Sequence, residues 1–144
     1  MLFYHRLDEV VWIGTKSGTT RTSVTLPSAY DAEVTKTLNV RDYSVAVIDI
    51  LYTMGAGESS NSIEIKLEDS VDGVNFYRLS NESASAGTST LTAREFTFVG
   101  TNAAEATISY RIDISYPYLK ISAKETGVSA NAGTVFIEGV LAGN

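Results

Sequence analysis

The clearest pattern along the chain is a strict alternation of apolar and charged residues from position 63 to position 68. Isoleucine and leucine side chains fall on one face of an extended strand, and glutamate and lysine side chains fall on the other. Asp72-Gly73 follows, and apolar positions resume at Val74. Because glycine readily adopts the positive φ that a tight turn requires, this segment predicts a β-hairpin.

Other parts of the chain repeat this strand pattern. Apolar and polar residues alternate over 108–116 and again over 119–123, while shorter apolar segments cover 95–99 and 134–141. The run 45–52 is almost continuously apolar, which is typical of a central strand that is covered on both faces. With about eight strands and no amphipathic helix pattern, the sequence predicts an all-β fold, an antiparallel β-sandwich that is jelly-roll-like.

The composition changes once along the chain, near residue 31. Residues 14–31 are rich in glycine, serine and threonine. We therefore interpret residues 1–31 as an extended N-terminal arm and loop, and residues 32–144 as a single β-sandwich domain. Within that domain, the small polar residues at 55–61 and 80–93 predict loops.

The N-terminal segment is the most apolar part of the predicted arm. Too many of its first thirteen residues are apolar to be left in water. Two alternatives stay open: the segment is the first strand of the sandwich, or it is an arm that docks on a neighbouring subunit. The residues expected at that interface are Leu2, Phe3, Tyr4, Leu7, Val10, Val11, Trp12 and Ile13.

Charge and composition exclude several classes of function. The chain of 144 residues has a formal net charge of −6, which argues against nucleic-acid binding because that function normally needs a basic patch. It has no cysteine and one histidine, which argues against disulfides, thiolate metal sites and histidine-dependent triads. No signal-peptide pattern and no apolar run of about 18 residues is present, so we expect synthesis in a cytoplasm and no membrane contact.

Two groups of acidic residues could carry chemistry. Glu64 and Glu68 share a strand face and could form the carboxylate pair of a glycosidase, but ordinary strand alternation alone explains them, and we favour a solvated strand face. Asp69, Asp72 and Asn75 could offer oxygen atoms to calcium, but turn chemistry accounts for them and their spacing does not fit a helix-flanked calcium loop. We therefore expect no catalytic residue, no metal and no cofactor.

Three tyrosines lie close together near the end of the chain. Tyr110 and Tyr116 fall on the apolar phase of their predicted strand, which favours packing in the core. Tyr118 falls in the opposite phase, and we predict that it is exposed. Since aromatic rings on a sheet surface can stack on sugars, Tyr118 is the residue that we name as a possible ligand contact.

Three segments carry a resemblance to a known family. The stretch 67–79 resembles the S-x-D-G-x-x-F/W hairpin of small jelly-roll virion proteins of tailed phages and of discoidin-like jelly rolls. The stretches 116–122 and 132–139 resemble later strands of the same families. Discoidin-like sugar binders usually carry signal peptides and often disulfides, whereas this sequence shows neither, so the resemblance favours the phage proteins.

The resemblance implies a non-enzymatic structural protein of a phage particle. Capsid decoration or cement proteins and head-fibre bases of this kind work by self-association, often as trimers, and by binding neighbouring subunits such as the major capsid protein. The expected location is the virion, after synthesis in the host cytoplasm. The alternative is a carbohydrate-binding or adhesion module that uses the loops of the same β-sandwich.

Overall fold

The structure is a computed structural model that describes the backbone of residues 6–78, 80–85, 88–93, 95–99 and 105–143, and the side chains of residues 6–77 and 107–143. Most of this backbone is in β-strands. The strands are β1 (Arg6–Ile13), β2 (Thr15–Ser17), β3 (Thr20–Thr22), β4 (Val24–Thr25), β5 (Thr35–Asn39), β6 (Val45–Thr53), β7 (Ser62–Ser70), β8 (Tyr77–Arg78), β9 (Ser80–Ser85), β10 (Thr88–Ala93), β11 (Glu95–Val99), β12 (Glu105–Asp113), β13 (Tyr118–Thr126) and β14 (Thr134–Gly143).

The described helical structure is a single short turn, Ala32–Val34, of the 3-10 type. Asp31 precedes it in an extended conformation, and its carboxylate accepts hydrogen bonds from the backbone N–H groups of Glu33 and Val34. This side chain therefore supplies partners for donors that a short helix leaves free. No helical segment in the described ranges has the length and apolar character needed to cross a membrane.

Two antiparallel sheets form the sandwich. The first sheet has the strand order β1-β14-β6-β12, with β4 also paired to β14. The second sheet has the order β11-β7-β13-β5, with β8 also paired to β7. Neighbours within each sheet are distant in sequence, and the chain crosses repeatedly from one sheet to the other, which is the connectivity of a jelly roll. The predicted all-β, antiparallel sandwich is confirmed.

The core lies between the two sheets and is built by the alternation seen in the sequence. Ile48, Ile50 and Tyr52 of β6 face Ile63 and Ile65 of β7, and all five are essentially inaccessible to water. The predicted hairpin is also present. Strand β8 pairs with the end of β7, and the connecting loop contains a glycine with a φ of 77°.

The first part of the predicted arm belongs to the sandwich. Strand β1 pairs with β14 from Arg6 to Ile13, and Trp12 and Ile13 are buried in the core. Of the two alternatives, the structure therefore shows the first strand of the sandwich, and a boundary at residue 31 does not separate two units there. The residues that precede Arg6, which include Leu2, Phe3 and Tyr4 of the predicted interface, lie outside the described part of the chain.

Two further expectations need correction. Residues 80–93, predicted as a loop, contain β9 and β10, which pair with each other as a small antiparallel sheet. Their serine and threonine residues give no apolar periodicity, although threonine is a good strand former. Strand β6 is central in its sheet but is not covered on both faces, since Val47 on its outer side is 39 % exposed.

Candidate functional site

The outer face of the first sheet carries a row of side chains that crosses four strands. The strand register places Glu9 opposite Val140, Val140 opposite Val47, and Val47 opposite Arg111. Both valines are more than one-third exposed. Since the core lies on the other side of this sheet, the row forms an open surface with an apolar middle and charged ends.

A hairpin made of β2 and β3 forms one wall above this face. Glu138 of β14 accepts hydrogen bonds from the Lys16 ammonium at 2.8 Å and from Arg21 Nε at 2.9 Å, and the Arg21 guanidinium also lies over the Phe136 ring. The bonds from Arg21 and then Lys16 hold the pKa of the Glu138 carboxyl below its ordinary value. This carboxylate therefore ties the hairpin to the sheet.

Gly14 allows the hairpin to come this close. Its φ is 96°, and a Cβ atom at this position would lie 2.6 Å from Phe136 Cδ2 and 2.6 Å from the backbone oxygen of Thr22. Any other residue would meet both a ring and the backbone, so the turn from β1 into β2 requires glycine.

The hairpin and the sheet enclose an open groove of about 490 Å³, which we call the hairpin groove. Its volume is that of a small-ligand site, but its described lining contains no aromatic side chain, and no three of its acidic side chains are placed to share a metal ion. The lining residues are Glu9, Val10, Val11, Lys16, Gly18, Arg21, Val47, Asp49, Glu138, Gly139 and Val140.

Strand β1 is an outer edge of the first sheet and carries all five of the predicted interface residues that are described. Leu7 is 66 % exposed, whereas Val10 and Val11 are half-buried. Arg6 Nε donates to the Asp8 carboxylate at 2.8 Å, and the Tyr43 hydroxyl donates to the same group. The bonds from Tyr43 and then Arg6 lower the pKa of Asp8.

The loop between β7 and β8, residues 71–76, displays apolar side chains on a hydrogen-bonded frame. Ser70 and Asp72 build the frame, because the Asp72 carboxylate accepts bonds from the backbone N–H groups of Val74 and Asn75, each at 2.8 Å, and from the Ser70 hydroxyl at 3.0 Å. The same backbone bonds, from Asn75 and then Val74, hold the pKa of Asp72 well below its usual range. Turn chemistry therefore engages this side chain, as the sequence indicates.

Val71, Val74 and Tyr77 point away from this frame, and their exposed fractions are 68 %, 79 % and 71 %. We call these three side chains and the loop that joins them the apolar loop. Single exposed apolar residues are common on protein surfaces, whereas three within seven positions on a hydrogen-bonded loop favour a contact surface.

Tyr118 supports this loop rather than standing free. It is half-buried, and its ring lies against Gly73, where a Cβ would approach Tyr118 Cζ to 3.1 Å. Tyr116, in contrast, is 46 % exposed. The prediction for these two residues was wrong because β12 ends at Asp113, so its alternation does not continue to Tyr116.

The outer face of the second sheet brings together the two glutamates that a glycosidase would need. Glu64 is paired with Lys124 at 3.2 Å, and Glu68 is paired with Lys66 at 3.4 Å and with Lys120 at 3.9 Å. The lysine ammonium groups thus offset the charge of both carboxylates. The arrangement is therefore an ion-pair network rather than an acid and base pair.

Two buried glutamates are not evident in the sequence, because each has hydrogen-bond partners more than 70 positions away in the chain. Glu58 accepts backbone hydrogen bonds from Ser129, Ala130 and Asn131, and those from Ala130 and Asn131 contribute most to lowering its pKa to about 2. It ties together two loops at the end of the sandwich that is opposite the apolar loop. Only the density of glycine and asparagine in both loops hints at this contact.

Glu125 is 1 % exposed and accepts hydrogen bonds from the Tyr52 hydroxyl and from the backbone N–H of Gly133. Burial, followed by the bond to Glu125, raises the pKa of Tyr52. The side chain of Asn61 is equally buried, and neither of its polar atoms has a partner in the described structure. These groups close one end of the core.

Comparison with known proteins extends the fold assignment. No protein-family model matches the chain, and no curated protein matches its sequence. The fold is similar to that of the SPBc2 prophage-derived protein YomS, with a TM-score of 0.50 and 16 % identity over 99 % of both chains. It is also similar to the CBM22-1 xylan-binding domain of Paenibacillus barcinonensis Xyn10C, with a TM-score of 0.50 and 10 % identity over 96 % of this chain and 82 % of that one.

These similarities show a β-sandwich that a prophage-derived protein shares over its whole length. At such low identities they establish the fold and leave the function to the surfaces described above.

Proposed function

We propose that the protein is a non-enzymatic structural component of a phage particle. It decorates or cements the capsid, or forms a related part of the head or tail, by associating with itself and by binding neighbouring virion subunits. The observation that carries this proposal is the apolar loop, because Val71, Val74 and Tyr77 are exposed on a frame that is already rigid. The full-length fold similarity to a prophage-derived protein supports it.

A rigid loop is well suited to this role. Binding costs free energy when loops and side chains must be ordered, and here Asp72 and Ser70 have ordered the loop in advance. Aromatic and aliphatic side chains that enter a hollow on a partner supply most of the binding free energy at protein interfaces. The apolar loop thus offers a ready contact for a capsid subunit.

The acidic residues described here also favour a structural role over catalysis. Glu64 and Glu68 are paired with lysines, Glu138 holds the hairpin, and Glu58 and Asp72 accept backbone hydrogen bonds within their own loops. A general acid or base must be available to a substrate. In the described structure, each of these carboxylates already serves the fold.

Binding to phage particles tests the proposal. Purified protein is sedimented with particles of the phage that encodes it, and the double substitution Val74→Lys with Tyr77→Lys is compared with the unsubstituted chain. We expect affinity to fall about tenfold or more, because two exposed apolar contacts are lost. The matched control is Val128→Lys, which changes another exposed valine outside the apolar loop.

Thermal unfolding shows whether both variants remain folded, since substitutions at exposed positions change stability by about 0.5 kcal/mol or less. Equal binding of the double variant and the control contradicts the assignment of the apolar loop. An unsubstituted protein that does not sediment with particles contradicts the proposed function itself.

A carbohydrate-binding module is the second candidate. The hairpin groove has the volume for a short sugar chain, and a xylan-binding domain shares the fold. Against it stands the described lining of the groove, which offers no aromatic ring for a sugar to stack on. Affinity electrophoresis in xylan decides: retardation that Val140→Lys abolishes and Tyr118→Ala leaves intact would favour a sugar site in the groove.

A further inference from the structure

The outer edge of β1 pairs with no other strand in the described structure, although β5 lies beside it where Lys36 reaches Val11. In the described sheet β1 pairs with β14 alone, and the Val11 carbonyl faces the other side, where it accepts a hydrogen bond from the Lys36 ammonium at 3.1 Å. Because the N–H and C=O groups of alternate residues point to the same side of a strand, those of Leu7 and Glu9 also face this edge. Such an edge is a template for another strand.

We propose that this edge pairs with the same edge of a second copy of the chain, with the two strands antiparallel and a two-fold axis at Leu7. The first sheets of the two copies then form one continuous sheet. The inference rests on the self-association contained in the proposed function, and it names the partner and the surface. A closed dimer with identical contacts on both subunits is the commonest form of symmetric assembly.

The register follows from the charges on β1. In a continuous sheet, two residues that lie opposite each other on neighbouring strands point their side chains to the same side. Because both strands here are β1, only two odd-numbered or two even-numbered residues can pair, and their numbers add to an even number. With the axis at Leu7, Arg6 of each copy lies opposite Asp8 of the other copy, which gives two opposite-charge pairs. An axis at Asp8 or at Glu9 sets a carboxylate against its own copy, which destabilises a strand pair.

Hydrogen-bond direction agrees with the same register. Leu7 points its N–H and C=O outward, so a Leu7–Leu7 pair exchanges two backbone hydrogen bonds on the axis. The exposed Leu7 side chains also meet there. Arg6 and Asp8 are about half-exposed and are bonded to each other in the single chain, so the bonds between copies would replace this internal pair.

In the single chain the Lys36 ammonium donates a hydrogen bond to the Val11 carbonyl. This bond must break for the strand pairing between copies to extend beyond Glu9.

Charge exchange tests the register directly. Arg6→Asp sets two carboxylates against each other at each end of the axis, and Asp8→Arg sets two guanidinium groups against each other. We expect each variant alone to dimerise about tenfold more weakly than the unsubstituted chain. An equimolar mixture restores both opposite-charge pairs and should form a heterodimer of twice the 15.5 kDa chain mass.

Light scattering on the unsubstituted chain, each variant and their mixture gives the result, and thermal unfolding confirms that each variant is folded. A mixture that stays monomeric while the unsubstituted chain is a dimer overturns the register. At about 100 µM, even a weak Kd of tens of micromolar gives mostly dimer. An unsubstituted chain that is monomeric at this concentration therefore overturns the inference. Particle binding through the apolar loop is measured separately, so either failure is distinguishable from failure of the proposed function.

A backbone test complements the charge test. Leu7→Pro removes an N–H group that faces the open edge and leaves the bonds between β1 and β14 in place, whereas Leu7→Ala keeps the N–H group. We expect the proline variant to be monomeric and the alanine variant to remain a dimer. Equal dimerisation of both variants contradicts strand pairing at this edge.

Discussion

The outer faces of the two sheets arise from the same alternating pattern, yet they present opposite surfaces. On the second sheet the face is closed by its own residues. The ammonium groups of Lys66 and Lys124 lie 4.4 and 4.9 Å from the centre of the Tyr30 ring, and that of Lys120 lies 4.0 Å from the Phe76 ring. The same lysines neutralise the glutamates between them.

The first sheet cannot close its outer face in this way. Its central strands β6 and β14 contain acidic residues but no lysine or arginine. The cations that neutralise Glu138 come from the β2–β3 hairpin, and Val47 and Val140 remain exposed beside it. The first face therefore keeps exposed apolar positions, because its central strands supply no cations to cover them.

Trp12→Ala tests whether β1 is part of the first sheet and its core, and we expect it to have the largest effect on stability. The indole is 2 % exposed, and truncation of a buried tryptophan lowers the free energy of unfolding by about 3–5 kcal/mol. Urea unfolding measures the change. Leu7→Ala on the same strand is the control, and at an exposed site it should cost about 0.5 kcal/mol or less.

Similar losses for the two variants would show that β1 is not packed in the core. The same reasoning predicts that a chain beginning at Thr15 does not fold, since it lacks both Trp12 and Ile13. Substitutions on the open edge therefore test assembly more cleanly than deletion of the N-terminal segment.

The sequence predicts some strands well and others poorly for physical reasons. Over β7, one face is in the core and the other in water, so the alternation is complete and the strand is evident. On β1 a register shift lies between Val11 and Ile13, and the adjacent Trp12 and Ile13 are both buried. A bulge of this kind breaks the period of two, and the sequence then cannot distinguish a strand from an arm.

The candidate surfaces were harder to predict than the fold. The Asp72-Gly73 turn is local, and its sequence identifies it. The hairpin groove depends on Glu138 meeting Lys16 and Arg21, which are more than 100 positions away in the chain, and no local pattern encodes that contact. Long-range pairing of charges becomes visible only when the sheet order is known.

Glu138→Gln tests how much the contact between the first sheet and the β2–β3 hairpin contributes to stability. We expect the free energy of unfolding to fall by about 1 kcal/mol, because a largely covered carboxylate with two cationic partners becomes neutral. Urea unfolding provides the measurement. Glu68→Gln on the second sheet is the matched control and should cost less, since its lysine contacts of 3.4 and 3.9 Å are longer than the bonds of 2.8 and 2.9 Å to Glu138.

The effect of Glu138→Gln should depend on pH. The pKa of Glu138 is lower in the folded chain than its ordinary value of 4.5, so its contribution is fully present above that value and is lost as the pH falls toward the folded pKa. The difference between the two proteins should therefore shrink below about pH 4.5. A difference that stays constant down to pH 2 would mean that charge is not what holds the hairpin.

The smallest effect is expected on the closed face of the second sheet, at the pair formed by Glu64 and Lys124. A double-mutant cycle with Glu64→Gln and Lys124→Met should give a coupling energy of about 0.2–1 kcal/mol, because both side chains are more than a quarter exposed and water screens their charges. Added salt should reduce it further. A coupling energy larger than the loss of unfolding free energy caused by Glu138→Gln would contradict this comparison. The outer face of the second sheet would then depend on its ion pairs more strongly than the first sheet depends on its hairpin. A small coupling means that Glu64 and Lys124 keep this face polar and covered while contributing little to the stability of the fold.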